Sequence, residues 1–148
     1  MEEIYIMSKG HERWNETMIY ANQCLWKAGP HLAKAMEDNE FANDERVIVA
    51  CIDGNIAGYC TFTHKDELPE IYDFSPFIGF MFVDEIYRGN RLSEHMINVV
   101  CSYAKKQGYL KMHIMSSERG LYEKYGFKKI GDYETVYGSI DQLFERLL

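Results

Sequence analysis

The chain lacks four things that would assign it quickly: paired cysteines, an excess of basic charge, long apolar runs and a glycine-rich nucleotide signature. Its four cysteines, Cys24, Cys51, Cys60 and Cys101, lie far apart, with no C-x-x-C and no histidine at zinc spacing. That spacing fits reduced, mostly buried thiols in a cytoplasmic protein, and no metal is expected. With 16 Lys and Arg against 23 Asp and Glu, the net charge is −7. Nucleic acid is therefore not expected as a partner. An acidic surface suits a cationic substrate, although it also serves solubility. No apolar run approaches the length of a membrane span, and the opening Met1-Glu2-Glu3 is unlike a signal peptide, so no membrane partner is expected. Neither a P-loop nor G-x-G-x-x-G is present, which argues against a free-nucleotide site of those kinds. Repeats, low-complexity tracts and linkers are absent too, and 148 residues suit one domain spanning 1–148. What is present is a globular composition: 47% apolar and 14% aromatic residues, enough for a substantial core.

Read in order, residues 4–7 form a short apolar run of strand character. Residues 12–27 carry Trp14, Met18, Ala21 or Asn22, and Leu25 at spacings of three and four, which predicts a helix stopped by Gly29-Pro30. Residues 31–40 read as a second helix with Leu32, Ala35 and Met36 on one face. Residues 46–52 and 56–64 flank Asp53-Gly54-Asn55 and predict an antiparallel hairpin. An acidic loop over 65–70 and an irregular stretch over 71–76 lead to the apolar strand 77–83. A helix over 92–107, a strand over 109–115 and a short helix over 121–125 follow. Two short strands, 127–130 and 133–137, surround Gly131-Asp132. Residues 139–148 read as a terminal helix capped by Ser139, with Ile140, Leu143, Phe144, Leu147 and Leu148 as its stripe. The prediction is a mixed α/β domain in the order β-α-α-β-β-β-α-β-α-β-β with a C-terminal helix.

The rest of the chain is organised around 77–93. A buried strand breaks at Asp84-Glu85, passes Arg88-Gly89-Asn90-Arg91, and enters a helix at Leu92. The first amides of a helix lack intrahelical partners, and the helix dipole favours negative charge there. Two arginines at such a turn point to phosphate or pyrophosphate.

The element order and two segments resemble the GNAT superfamily of N-acetyltransferases, which move acetyl from acetyl-CoA to an amine. Val83-Asp84-Glu85-Ile86-Tyr87-Arg88-Gly89-Asn90-Arg91-Leu92-Ser93 is similar to the family's pyrophosphate loop, V-x-P-x-Y-R-G-x-G-x-G/A. Leu121-Tyr122-Glu123-Lys124-Tyr125-Gly126-Phe127 is similar to its F/L-Y-E-K-x-G-F segment. The resemblance implies acetyl-CoA as co-substrate. The main chain of Met81, Phe82 and Val83 would bond the pantetheine amides from a splayed strand, and Arg88, Gly89, Asn90, Arg91, Leu92 and Ser93 would cradle the pyrophosphate. Within residues 88–93, two positions depart from the family's pattern. Arg91 stands where glycine is usual and disfavours a positive φ; Ser93 replaces Gly or Ala but remains small.

The resemblance also implies that Tyr122 protonates the departing thiolate, a proton transfer between a phenol of reference pKa about 10 and a thiol of about 8.5. Ser116 or Ser117 would stand where the family often has a cofactor-contacting Asn. Tyr125 reads as core. The central strand offers no carboxylate at Phe77-Ile78-Gly79, so Asp73, ahead of Glu70 and His64, is the expected base, acting directly or through water. No cysteine has a neighbouring histidine, so direct transfer in a ternary complex is expected rather than an acyl-cysteine. The acceptor is expected to be a primary amine of a small molecule or peptide. The alternative is a non-catalytic acyl-CoA-binding module of the same fold. A homodimer through the terminal helix and the edge near Tyr133 and Tyr137 is the alternative to packing within one chain.

Overall fold

The β-branched run after Arg46 and its return across Asp53-Gly54 form the predicted hairpin. Asp53 and Gly54 take φ of 51° and 84°, the pair of positive values that a tight two-residue turn requires. These strands lie in a seven-stranded sheet in the computed structural model, which describes residues 1–148. The elements are β1 (Glu2–Met7), α1 (Trp14–Gln23), α2 (Gly29–Glu37), β2 (Arg46–Ile52), β3 (Asn55–Thr63), β4 (Phe77–Val83), α3 (Leu92–Lys106), β5 (Lys111–Ser116), α4 (Leu121–Lys124), β6 (Lys128–Glu134) and β7 (Ile140–Leu147). A 3-10 turn, Glu85–Tyr87, separates β4 from α3. The sheet order is β1-β2-β3-β4-β5-β7-β6, and β4 with β5 is its parallel pair.

Alternation along β2 sends Val47, Val49 and Cys51 to one face and Ile48 and Ala50 to the other, so the strand is buried on both sides. Helices α1 and α2 close the first face through Trp14, Ala21, Leu32 and Met36. Helix α3 closes the second through Leu92, Met96, Ile97, Val100 and Ala104 at helical spacing.

Three features differ from the sequence prediction. The terminal segment is strand β7, not a helix. Leu143 and Phe144 are adjacent and fully buried but belong to different core clusters, so they point to opposite faces of a covered strand, whereas a one-faced helix would hold both on one stripe. Ser139 belongs to the β6–β7 hairpin turn, where its carbonyl accepts from the Thr135 amide at 2.7 Å. β7 then pairs with β5 from Lys111↔Leu147 to Ser116↔Gln142. Second, β6 is one strand through Gly131-Asp132, with a register shift between Lys129 and Gly131. Tyr133 packs within the chain against Tyr72 and Phe74.

Third, α1 ends at Gln23, and Gly29-Pro30 opens α2 instead of closing α1. A side chain at Gly29 would put its Cβ 2.2 Å from the Ala21 carbonyl oxygen and 2.7 Å from Cys24 Sγ. Only glycine lets the second helix start this close to the first. The tight link turns Leu25 outward, 98% exposed, and turns Trp26 toward the sheet.

Candidate active site

Strands β4 and β5 are paired only at Phe77↔His113, with a further bond from the His113 amide to the Pro76 carbonyl. Beyond that point they separate, and a cleft of about 1900 Å³ opens between Ile78–Val83 on one side and Ile114–Ser117 on the other. The β4 edge that faces β5 has no ladder partner there, so its main-chain polar groups are available to a ligand. A bulge sharpens the separation. Partners run Tyr59↔Phe82 and then Thr61↔Gly79, placing one extra residue in β4, and Phe80 adopts φ of 47°. A bulky residue held there costs on the order of 1–3 kcal/mol, the kind of strain that accumulates at functional sites. Met81, Phe82 and Val83 all line the cleft, and the Val83 carbonyl accepts from Arg88 Nε at 3.1 Å.

At one end of the cleft the turn Arg88–Arg91 enters α3. Gly89 has φ of 90° and Arg91 has φ of 59°, so Arg91 takes the left-handed conformation that glycine would take more easily. Its guanidinium reaches Glu94 at 2.6 Å, and no side chain caps the helix. The amides of Leu92, Ser93 and Glu94 thus remain without intrahelical partners, next to exposed Arg88 and Arg91. This donor set fits a phosphate or pyrophosphate. Asn90 does not line the cleft; its side chain donates to the Tyr87 carbonyl at 3.0 Å and holds the turn. Ser93 Oγ and Tyr125 Oη lie 3.1 Å apart, so Tyr125 joins the loop to α4 at the cleft wall.

Tyr122 lies on α4, 5% exposed, with Phe127 and Phe144 around its ring. Burial pushes its phenol up to about 12, while the Ser116 hydroxyl beside it works in the opposite direction. Tyr122 and Ser116 both line the cleft. Ser116 also accepts from the Glu118 amide at 3.0 Å. Tyr122 is therefore a protonated donor at neutral pH.

Asp73 is exposed and is not part of the cleft wall. The carboxylate that reaches the central strand is Asp66, from the β3–β4 loop. A methyl at Gly79 would come within 3.2 Å of Asp66 Oδ1 and 3.1 Å of Thr61 Oγ1, so the absent side chain at Gly79 is what admits it. Burial, then the neighbouring charge of Glu67, pushes Asp66 up to about 7, against a favourable bond from the Glu67 amide. Asp66 is partly buried and lines the cleft. Glu67 is raised too, by burial and by Asp141. Its carbonyl accepts from the Val136 amide at 2.8 Å, tying this loop to the β6–β7 hairpin. The sequence held one indirect signal for Asp66, a glycine in the middle of an otherwise bulky strand.

Phosphate donors at one end, a protonated phenol midway and a carboxyl poised near neutrality describe a group-transfer site for a phosphate-bearing donor and a titratable acceptor. The acetyltransferase (GNAT) family profile matches residues 10–127. The chain belongs to this family. It is similar in fold to aminoglycoside 6'-acetyltransferase type Ii, with TM-score 0.75 and 14% identity over 98% of this chain and 96% of that one. It resembles an aminoglycoside 6'-N-acetyltransferase complexed with coenzyme A at TM-score 0.71 and 12% identity, covering 98% and 96% of the two chains. A GNAT family acetyltransferase from Elizabethkingia anophelis with acetyl-CoA bound matches at TM-score 0.68 and 15% identity, over 99% and 98%. No curated protein matches in sequence. No helix is long and apolar enough to cross a membrane.

Proposed function

We propose that the protein transfers acetyl from acetyl-CoA to a primary amine by direct attack in a ternary complex. The observation that carries this reading is the pair of titratable groups on one cleft: Asp66 against Gly79, and Tyr122 beside Ser116. Their environments suit opposite roles. A carboxyl near 7 accepts a proton at neutral pH, and a phenol near 12 holds one.

Asp66 takes the proton from the ammonium of the acceptor, directly or through a water. The amine nitrogen forms a bond to the thioester carbonyl carbon, the carbon–sulfur bond breaks, and the extra proton left on nitrogen passes to solvent, as does the one on Asp66 before the next cycle. Tyr122 gives its proton to the departing sulfur and regains one from solvent. Against a thiol of about 8.5, a phenol at 12 is mismatched by roughly 3.5 pH units, or about 5 kcal/mol. Partial burial in the cleft raises a thiol in the same direction as a phenol, because both are charged when deprotonated, and so narrows this gap. The amides at the start of α3, with Arg88 and Arg91, bind the pyrophosphate, and the β4 main chain binds the pantetheine arm.

Initial rates of thiol release, with acetyl-CoA and amine both varied, test this. Intersecting double-reciprocal lines are expected. Parallel lines, with the acetyl group trapped on a cysteine, would replace the ternary complex by a covalent route. CoA binding with no turnover of any amine would leave a binding module.

A further inference from the structure

The acceptor end of the cleft carries more information than the transfer step uses. Its wall is aromatic. Trp26, presented by the α1–α2 link, stacks on Phe82 with ring centroids 5.6 Å apart and planes 11° from parallel. Phe80 meets the same indole edge-on at 6.3 Å, and Tyr59 supports it from below at 6.1 Å. Tyr59 is fully buried, whereas Trp26 and Phe80 are partly buried and line the cleft. The strained φ at Phe80 and the glycine-dependent approach of α2 to α1 both act on this wall.

At the mouth stand Leu25, Val136 and Tyr137, which are 98%, 57% and 80% exposed. Apolar side chains exposed together around a cleft suit an apolar ligand that covers them. The charges here do not suit a polycation. The carboxylates nearest this wall are already engaged: Asp66 lies against Gly79, Glu67 beside Asp141, and Asp84 accepts from Tyr20 Oη at 2.6 Å, while Lys27 and Lys65 also line the cleft.

Resting on the acetyl-transfer reading above, we infer that the acceptor is a primary amine with one positive charge on a flat aromatic body. The ring packs against Trp26 and Phe80, and the amine reaches Asp66. A polyamine or aminoglycoside would bring several charges to a cleft that offers aromatic faces and two lysines at this wall.

The test compares 2-phenylethylamine, n-hexylamine and spermidine as acceptors for acetyl-CoA. The expected kcat/KM for 2-phenylethylamine is about tenfold or more above either competitor, since a well-placed aromatic contact adds to simple apolar burial. Trp26→Ala should raise its KM about tenfold while the KM for acetyl-CoA stays within about twofold, and Trp26→Phe should restore most of the loss. Phe80→Leu provides a second variant should Trp26→Ala fold poorly, with the same selective loss expected. Preference for spermidine, equal rates for the phenyl and hexyl amines, or a uniform loss for all three amines in the variants would each overturn the inference while leaving acetyl transfer intact. No turnover of any amine by a protein that still binds acetyl-CoA would overturn the transfer reading, and this inference with it.

Discussion

Replacing Asp66 by Asn should stabilise the protein at pH 8 and leave its stability unchanged at pH 4, because the native carboxyl is held in the wrong charge state for its surroundings. Folded, the group titrates at about 7; an unperturbed Asp titrates at 3.8. Between those values the folded chain binds more protons than the unfolded one. Stability therefore falls as pH rises from about 4 to about 7, and the whole loss is present above 7. The difference is about three pH units, on the order of 4 kcal/mol as an upper figure. Asn cannot ionise, and its carbonyl oxygen still accepts from the Glu67 amide. Denaturant unfolding of both proteins at several pH values measures the gap, which should grow from near zero at pH 4 to a gain of a few kcal/mol at pH 8. The same substitution should abolish base catalysis, so the variant is more stable and less active. A gap that does not change with pH, or a variant less stable at pH 8, would refute the account of Asp66.

Further outcomes follow from the same geometry. In the wild type, kcat/KM should fall as pH drops below about 7 and Asp66 takes up its proton, and Asp66→Asn should remove that limb. Tyr122→Phe should lower kcat by about a hundredfold or more with little change in acetyl-CoA affinity, and an unchanged kcat would end its role as acid. Arg91→Gly should be neutral or stabilising by up to about 1 kcal/mol, since it relieves the left-handed φ and gives up only an exposed pair with Glu94, yet CoA affinity should fall. Gly29→Ala should destabilise by about 1–3 kcal/mol, because its methyl meets the Ala21 carbonyl at 2.2 Å; an unchanged melting curve would refute the close approach.

That residues 83–93 and 121–127 carry the turn into α3 and a short helix was legible in the sequence, because these are local signals whose geometry depends on near neighbours, and the structure brings both segments to one cleft. Arg91 is instructive: the expectation that arginine avoids a positive φ is sound, yet the chain takes it, with Glu94 holding the guanidinium. The acceptor half was not legible. Asp66 reaches the cleft only because the loop folds back on Gly79, a meeting of residues thirteen apart (66 to 79) with no periodic signature. Asp73, nearer to the central strand in sequence, points elsewhere. Trp26 was hidden inside an expected helix, and its place depends on how closely Gly29 lets two helices approach. The terminal strand was misread for a related reason. Ile140, Leu143, Phe144 and Leu147 satisfy a helical stripe, and only pairing with β5 reveals that Leu143 and Phe144 point to opposite faces of a covered strand.

The most direct test of the central claim is to mix the protein with acetyl-CoA and 2-phenylethylamine and follow every product by mass and free thiol by titration. Equal amounts of N-acetylated amine and free CoA, with the protein itself unmodified, are predicted. Acetate without acetylated amine, or a stable acetyl group left on the protein, would contradict direct transfer at this cleft.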